Sequence, residues 1–115
     1  MFKLFDENGN CILNESYNEI KKLNALLDLA NIPHTFERLL DGWQVCYISD
    51  ELVPNVISDA IEHCGSYGHE EDLLEIMGLL TPESCDCVKG YMTAQEVFEL
   101  WSSHYIKAKQ DSKGE

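Results

Sequence analysis

Residues 34–48 read HTFERLLDGWQVCYI, two strand-like runs meeting at Asp41-Gly42. Asp-Gly between apolar runs is a strong hairpin signal, because both central positions of a type I′ turn need positive φ. A two-residue turn there pairs Leu40 with Trp43, Arg38 with Val45 and Phe36 with Tyr47. Phe36, Leu40, Trp43, Val45 and Tyr47 then share one face, with Glu37 and Gln44 on the other. Such an apolar face needs a covering layer.

The flanking sequence supplies two helices for that layer. Ser16-Tyr17-Asn18-Glu19 has the spacing of a capping box, and Tyr17, Ile20, Leu23, Leu27 and Ala30 recur at helical intervals. A helix over about 17–30 follows, stopped by Asn31 and Pro33. Thr93-Ala94-Gln95-Glu96 is a second capping box, followed by Ala94, Val97, Trp101, Tyr105 and Ala108 at the same spacing. That predicts a closing helix over about 94–107, with Trp43 and Trp101 both facing the core. Upstream, Phe2–Phe5 and Cys11–Leu13 flank a turn at Asp6–Asn10 and read as a small hairpin.

The middle of the chain is less decided. Residues 56–63 fit a strand or a short helix, and 73–77 carry the same ambiguity; the β-branched Val56 and Ile57 favour a strand. Gly65 to Asp72 would then join two antiparallel strands, and Gly78 to Tyr91 reads as ordered loop. The fold expected is α+β, a small antiparallel sheet packed against an N-terminal and a C-terminal helix. Residues 1–107 form a single domain, and 108–115 a flexible polar tail.

Charge is unevenly placed. The chain of 115 residues has 8 basic and 21 acidic side chains, a net charge of -13. The segment 50–99 holds twelve acids and one lysine and so contributes -11 of it. Such a surface repels phosphate backbones and anionic lipid, so neither direct nucleic-acid nor membrane binding is expected. It suits a basic protein partner, and solubility alone is the plainer explanation. No apolar run approaches the roughly 20 residues of a membrane helix, and Met1–Asp6 lacks a signal-peptide pattern, which makes the cytoplasm the expected address. Five cysteines, at 11, 46, 64, 85 and 87, are odd in number and read as free thiols. A small domain with aromatic-rich elements is also expected to bury an apolar strip by homodimerising.

Chemistry-bearing residues concentrate between 63 and 72. His63, Cys64, His69, Glu70, Glu71 and Asp72 include zinc-type and hard-cation ligands, yet their spacing matches no metal motif, and Cys85-Asp86-Cys87 adds only a C-x-C. Neither a metal ligand set nor a cofactor is assigned on this basis. Ser66, His69 and Asp72 are the residue types of a triad without a nucleophile elbow around Ser66, so no catalytic residue is assigned either. Two glycines flanking Ser66 and Tyr67 suit a recognition loop, whose binding residues would be His63, Ser66, Tyr67, His69 and Glu70. The bland reading is a β-connection satisfying its own backbone.

Asp41-Gly42-Trp43-Gln44-Val45, Ile61 to Gly68, Leu73 to Thr81 and Val88 to Ala94 together resemble a group of small acidic phage and prophage proteins of Gram-positive, mainly clostridial, bacteria. The likeness covers roughly residues 1–106. It implies a mobile-element accessory protein acting on host machinery, and brings no catalytic residue or cofactor with it. The expected function is thus non-enzymatic: binding of a host protein through an acidic surface, in a sharper form as a nucleic-acid mimic. The alternatives are a protein binding a nucleotide-like metabolite and, behind it, a metal-dependent hydrolase.

Overall fold

The structure, a computed structural model, describes residues 7–8, 17–49, 55–78 and 88–113, with side chains to residue 110. The hairpin forms, on a different turn. β1 (His34–Leu39) and β2 (Gly42–Ile48) pair antiparallel, with Leu39 opposite Gly42, Arg38 opposite Trp43, Phe36 opposite Val45 and His34 opposite Tyr47. The turn residues are therefore Leu40 and Asp41. Trp43 meets a residue two places from the one expected, and an even shift leaves Phe36, Trp43, Val45 and Tyr47 on their common face. Leu40 departs from it: the residue sits in the turn at φ 55 and is 46% exposed. Gly42 accounts for the change. A Cβ there would lie 1.7 Å from the Glu62 carbonyl oxygen, so this glycine serves close approach of the next strand rather than the turn.

β3 (Val56–Glu62), β4 (Leu74–Met77) and β5 (Val88–Met92) complete an antiparallel sheet in the order β1-β2-β3-β4-β5. Both ambiguous segments are strands. On β3 the inward positions are Ser58, Ala60 and Glu62, two of them polar, which blurred the apolar alternation. The expectation of loop over 78–91 is corrected at its end, where β5 begins at Val88. Gly90 weakened that strand signal, and it is there because a Cβ would fall 2.2 Å from the Cβ of Tyr67. The arms of the predicted N-terminal hairpin, Phe2–Phe5 and Cys11–Leu13, together with Ser16, Cys85 and Cys87, lie outside the described residues.

The N-terminal helix, α1, spans Glu19–Ala30 and ends at Asn31, whose φ of 57 gives the left-handed cap expected of it. Its start draws caps from residues far along the chain. Asn18 makes no side-chain cap; Asp72 Oδ1 accepts from the N–H groups of Asn18 (2.7 Å) and Glu19 (3.3 Å), and Glu62 Oε1 from Ile20 N–H (3.2 Å). Glu19 Oε1 accepts from Ala94 N–H at 2.9 Å, capping the second helix, α2 (Ala94–Lys113). There the predicted box is present, with Thr93 N–H donating to Glu96 Oε1 (3.0 Å) and Glu96 N–H to Thr93 Oγ1 (3.1 Å). Helical backbone continues to Lys113, beyond the expected end at 107.

Ile20, Leu23 and Leu27 of α1 and Ala94, Val97 and Trp101 of α2 pack with Val45, Tyr47, Ala60, Leu74 and Ile76 in one core. Trp101 is wholly buried; Trp43 is half-buried and stacks on Phe36 with centroids 4.6 Å apart. Both helices lie on this side. The opposite sheet face carries Glu37, Gln44, Cys46, Asp59 and Glu75, where Gln44 Nε2 donates to Asp59 Oδ2 at 2.8 Å. No described helix is long and apolar enough to cross a membrane.

A candidate metal centre at the connection after the third strand

The chain leaving β3 turns at once. Ser66 N–H donates to the His63 carbonyl, Ser66 Oγ accepts from His63 N–H at 3.0 Å, and the same hydroxyl donates to the His63 carbonyl at 2.9 Å. Ser66 is 3% exposed and closes its own turn, so it is not presented to a ligand. That turn brings His63 and Cys64 against the β1–β2 turn, where Asp41 is fully buried. Asp41 Oδ1 accepts from Cys64 N–H at 2.7 Å and Oδ2 from the Tyr17 hydroxyl at 3.0 Å. The displaced hairpin turn is what aims this carboxylate inward.

One ligand atom each from Asp41, His63 and Cys64 lie within 4.8 Å of one another. Ligands of a tetrahedral zinc at about 2.0–2.3 Å stand roughly 3.3–3.8 Å apart, so a small inward closure makes these three a coordination set. The donors are also the right ones: a thiol, an imidazole and a carboxylate suit a borderline-soft cation. Burial lowers the His63 pKa, a fall that Asp41 and Glu75 oppose and His69 reinforces, so the neutral ring, the form that ligates, is favoured. Gly65 N–H donates to His63 Nδ1 at 2.9 Å, which leaves Nε2 carrying the proton. A cation at Nδ1 displaces the Gly65 contact, and one at Nε2 requires the proton to move to Nδ1, which then no longer accepts from Gly65. Neither Cys46 nor Cys64 is in a disulfide.

The other predicted residues fall into two groups. His69 Nδ1 donates to the Ser66 carbonyl at 2.7 Å and meets Glu70 Oε2 at 3.2 Å, while Glu70 Oε1 accepts from the Tyr91 hydroxyl at 3.2 Å. Tyr67 is 64% exposed, its N–H donating to Glu75 Oε1 at 3.0 Å. Asp72 faces α1. Ser66, His69 and Asp72 each have other partners, so they do not form a triad. Of the ligand types noted between 63 and 72, only His63 and Cys64 enter the cluster; Asp41 joins them from 22 positions upstream. The Asp-Gly pattern makes Asp41 half of a backbone turn, and nothing local in the sequence marks its side chain as buried.

Glu62 adds a second unusual group next to the cluster. It is fully buried, and its Oε2 has no hydrogen-bond partner among the described residues. Burial pushes its pKa up to about 9, helped by the neighbouring Asp72 carboxylate and opposed by Ile20 N–H. Burial raises Asp72 as well, but its neighbour Glu62 and the hydrogen bonds from the start of α1 outweigh it and hold that carboxylate below its ordinary range. Cavities of about 370 Å³ and 290 Å³ lie away from this region, beside the end of α1 and between β2 and α2.

No protein-family model, curated protein or solved structure matches this chain.

Proposed function

We propose that this protein binds a zinc-class divalent cation through Asp41, His63 and Cys64. The observation that carries this reading is the convergence of three different ligand types, from two separate loops, within 4.8 Å. Three protein ligands leave a fourth tetrahedral position for water or a ligand, the arrangement by which zinc can activate water for hydrolysis. Cobalt titration of untagged protein tests the site, since thiolate ligation produces a charge-transfer absorption. Cys64→Ser should abolish that absorption, and His63→Ala should weaken binding by about 10–100-fold or more. Cobalt binding unchanged by both substitutions would place the metal elsewhere and sink the reading.

The second reading is an accessory protein that offers an acidic surface to a basic host protein. It is favoured by the outward sheet face bearing Glu37, Asp59 and Glu75, and by Glu70 and Glu71 on the connection beside it. Retention of a basic partner at low salt, lost as salt is raised, would support it.

A further inference from the structure

Tyr67, on the same connection, and Tyr91, on β5, are exposed residues whose backbones adjoin. Tyr67 is 64% exposed and Tyr91 55% exposed. Their backbones lie in contact: Tyr91 N–H donates to the Tyr67 carbonyl at 3.3 Å, and Gly90 makes room for the Tyr67 Cβ. Two exposed tyrosines on adjoining backbones offer flat apolar faces with polar tips to a partner. Tyr91 is also held at φ 58, a left-handed conformation that is uncommon for a bulky residue and costs strain. Glycine would relieve that strain, yet the chain places a tyrosine there.

The groups around the rings are anionic. Glu70 bridges the Tyr91 hydroxyl and His69 Nδ1, Glu75 holds Tyr67 N–H, and the charges of Glu70 and Glu71 both act on Tyr91. The basic residue on β5, Lys89, lines a separate groove with Glu96 and Glu99. Flat aromatic faces rimmed by carboxylates suit a guanidinium, which stacks on a ring and donates paired hydrogen bonds to a carboxylate at its edge. An ammonium gains the charge attraction and less of the stacking.

We propose that Tyr67 and Tyr91, with Glu70 and Glu71, form a docking surface for an arginine-bearing segment of a basic protein. The proposal rests on the acidic-surface reading and is independent of the metal centre. Its test is binding of an octa-arginine peptide at low ionic strength, by calorimetry, with octa-lysine and octa-glutamate alongside. Octa-arginine should bind more tightly than octa-lysine, and octa-glutamate should not bind. Tyr67→Ala combined with Tyr91→Gly should weaken octa-arginine by about ten-fold, the loss of one or two stacking contacts. The single Tyr91→Gly protein should melt no lower than the parent, so that its loss of binding is not loss of folding. Glu37→Gln with Asp59→Asn removes two charges from the sheet face and should change affinity by no more than about two-fold. If that pair weakens binding as much as the tyrosine pair, or if octa-lysine binds as tightly as octa-arginine, the docking surface is wrong while the acidic reading survives. If neither basic peptide binds, both fall.

Discussion

Glu62→Gln offers the sharpest examination of how this fold is held. A carboxyl whose pKa stands at about 9 in the folded protein, against an ordinary 4.5, keeps its proton on folding while the unfolded chain releases it. The folded state therefore binds more protons than the unfolded state between those two values. Stability from this group is full below pH 4.5, declines as pH rises, and is lost by about 9, with a slope near 1.4 kcal/mol per pH unit. Between pH 6.5 and 8.5 that amounts to about 2–3 kcal/mol, a large share of the stability of a small domain. His63 works in the opposite sense but mostly below this window: its lowered pKa costs stability as pH falls under about 6.5. The Cys46 thiol, raised chiefly by burial, begins to cost stability only above about 9. Glutamine is isosteric, keeps an acceptor for Ile20 N–H and cannot ionise. Urea unfolding followed by tryptophan fluorescence at pH 6.5, 7.5 and 8.5 should show a falling midpoint for the parent and a flat one for the variant. Parallel pH dependence in the two proteins would show that Glu62 ionises normally and would refute the argument.

Asp72→Asn should cost about 1 kcal/mol at neutral pH, because a neutral cap replaces a carboxylate at the start of α1, and chemical denaturation reads this directly. The same change should shift the loss of stability at high pH toward lower pH, since one of the charges raising Glu62 is gone; NMR titration of Glu62 would follow it. Gly42→Ala should abolish cooperative thermal unfolding by circular dichroism, as its Cβ would sit 1.7 Å from a β3 carbonyl oxygen and force the two strands apart. Trp101→Ala should lower the unfolding free energy by about 3–5 kcal/mol, the cost of emptying a wholly buried aromatic site, without altering cobalt binding.

The outline of the fold was legible because local chemistry and periodicity agreed. The apolar stripes Ile20, Leu23, Leu27 and Ala94, Val97, Trp101 each define a helix face without reference to any distant residue. The Thr93–Glu96 box and the Asn31 stop act over a few positions, and alternation through Phe36, Val45 and Tyr47 fixes which face is covered. An antiparallel sheet with a helix on either side of it in sequence follows from those patterns alone. What the tertiary structure decided depends on groups far apart in the chain. The hairpin turned at Leu40-Asp41 because Gly42 had to admit the β3 carbonyl of Glu62. The N-terminus of α1 draws on Asp72 and Glu62, more than 40 positions away, and Glu19 caps α2 from 75 positions away. Ser58 and Glu62 are polar yet point inward, which no count of apolar residues could show. Asp41, the ligand that joins His63 and Cys64, is a surface turn residue by every local rule. It is buried because two distant donors, Tyr17 and Cys64, converge on its carboxylate, and hydrogen-bond closure across the fold carries no periodic signal in the sequence.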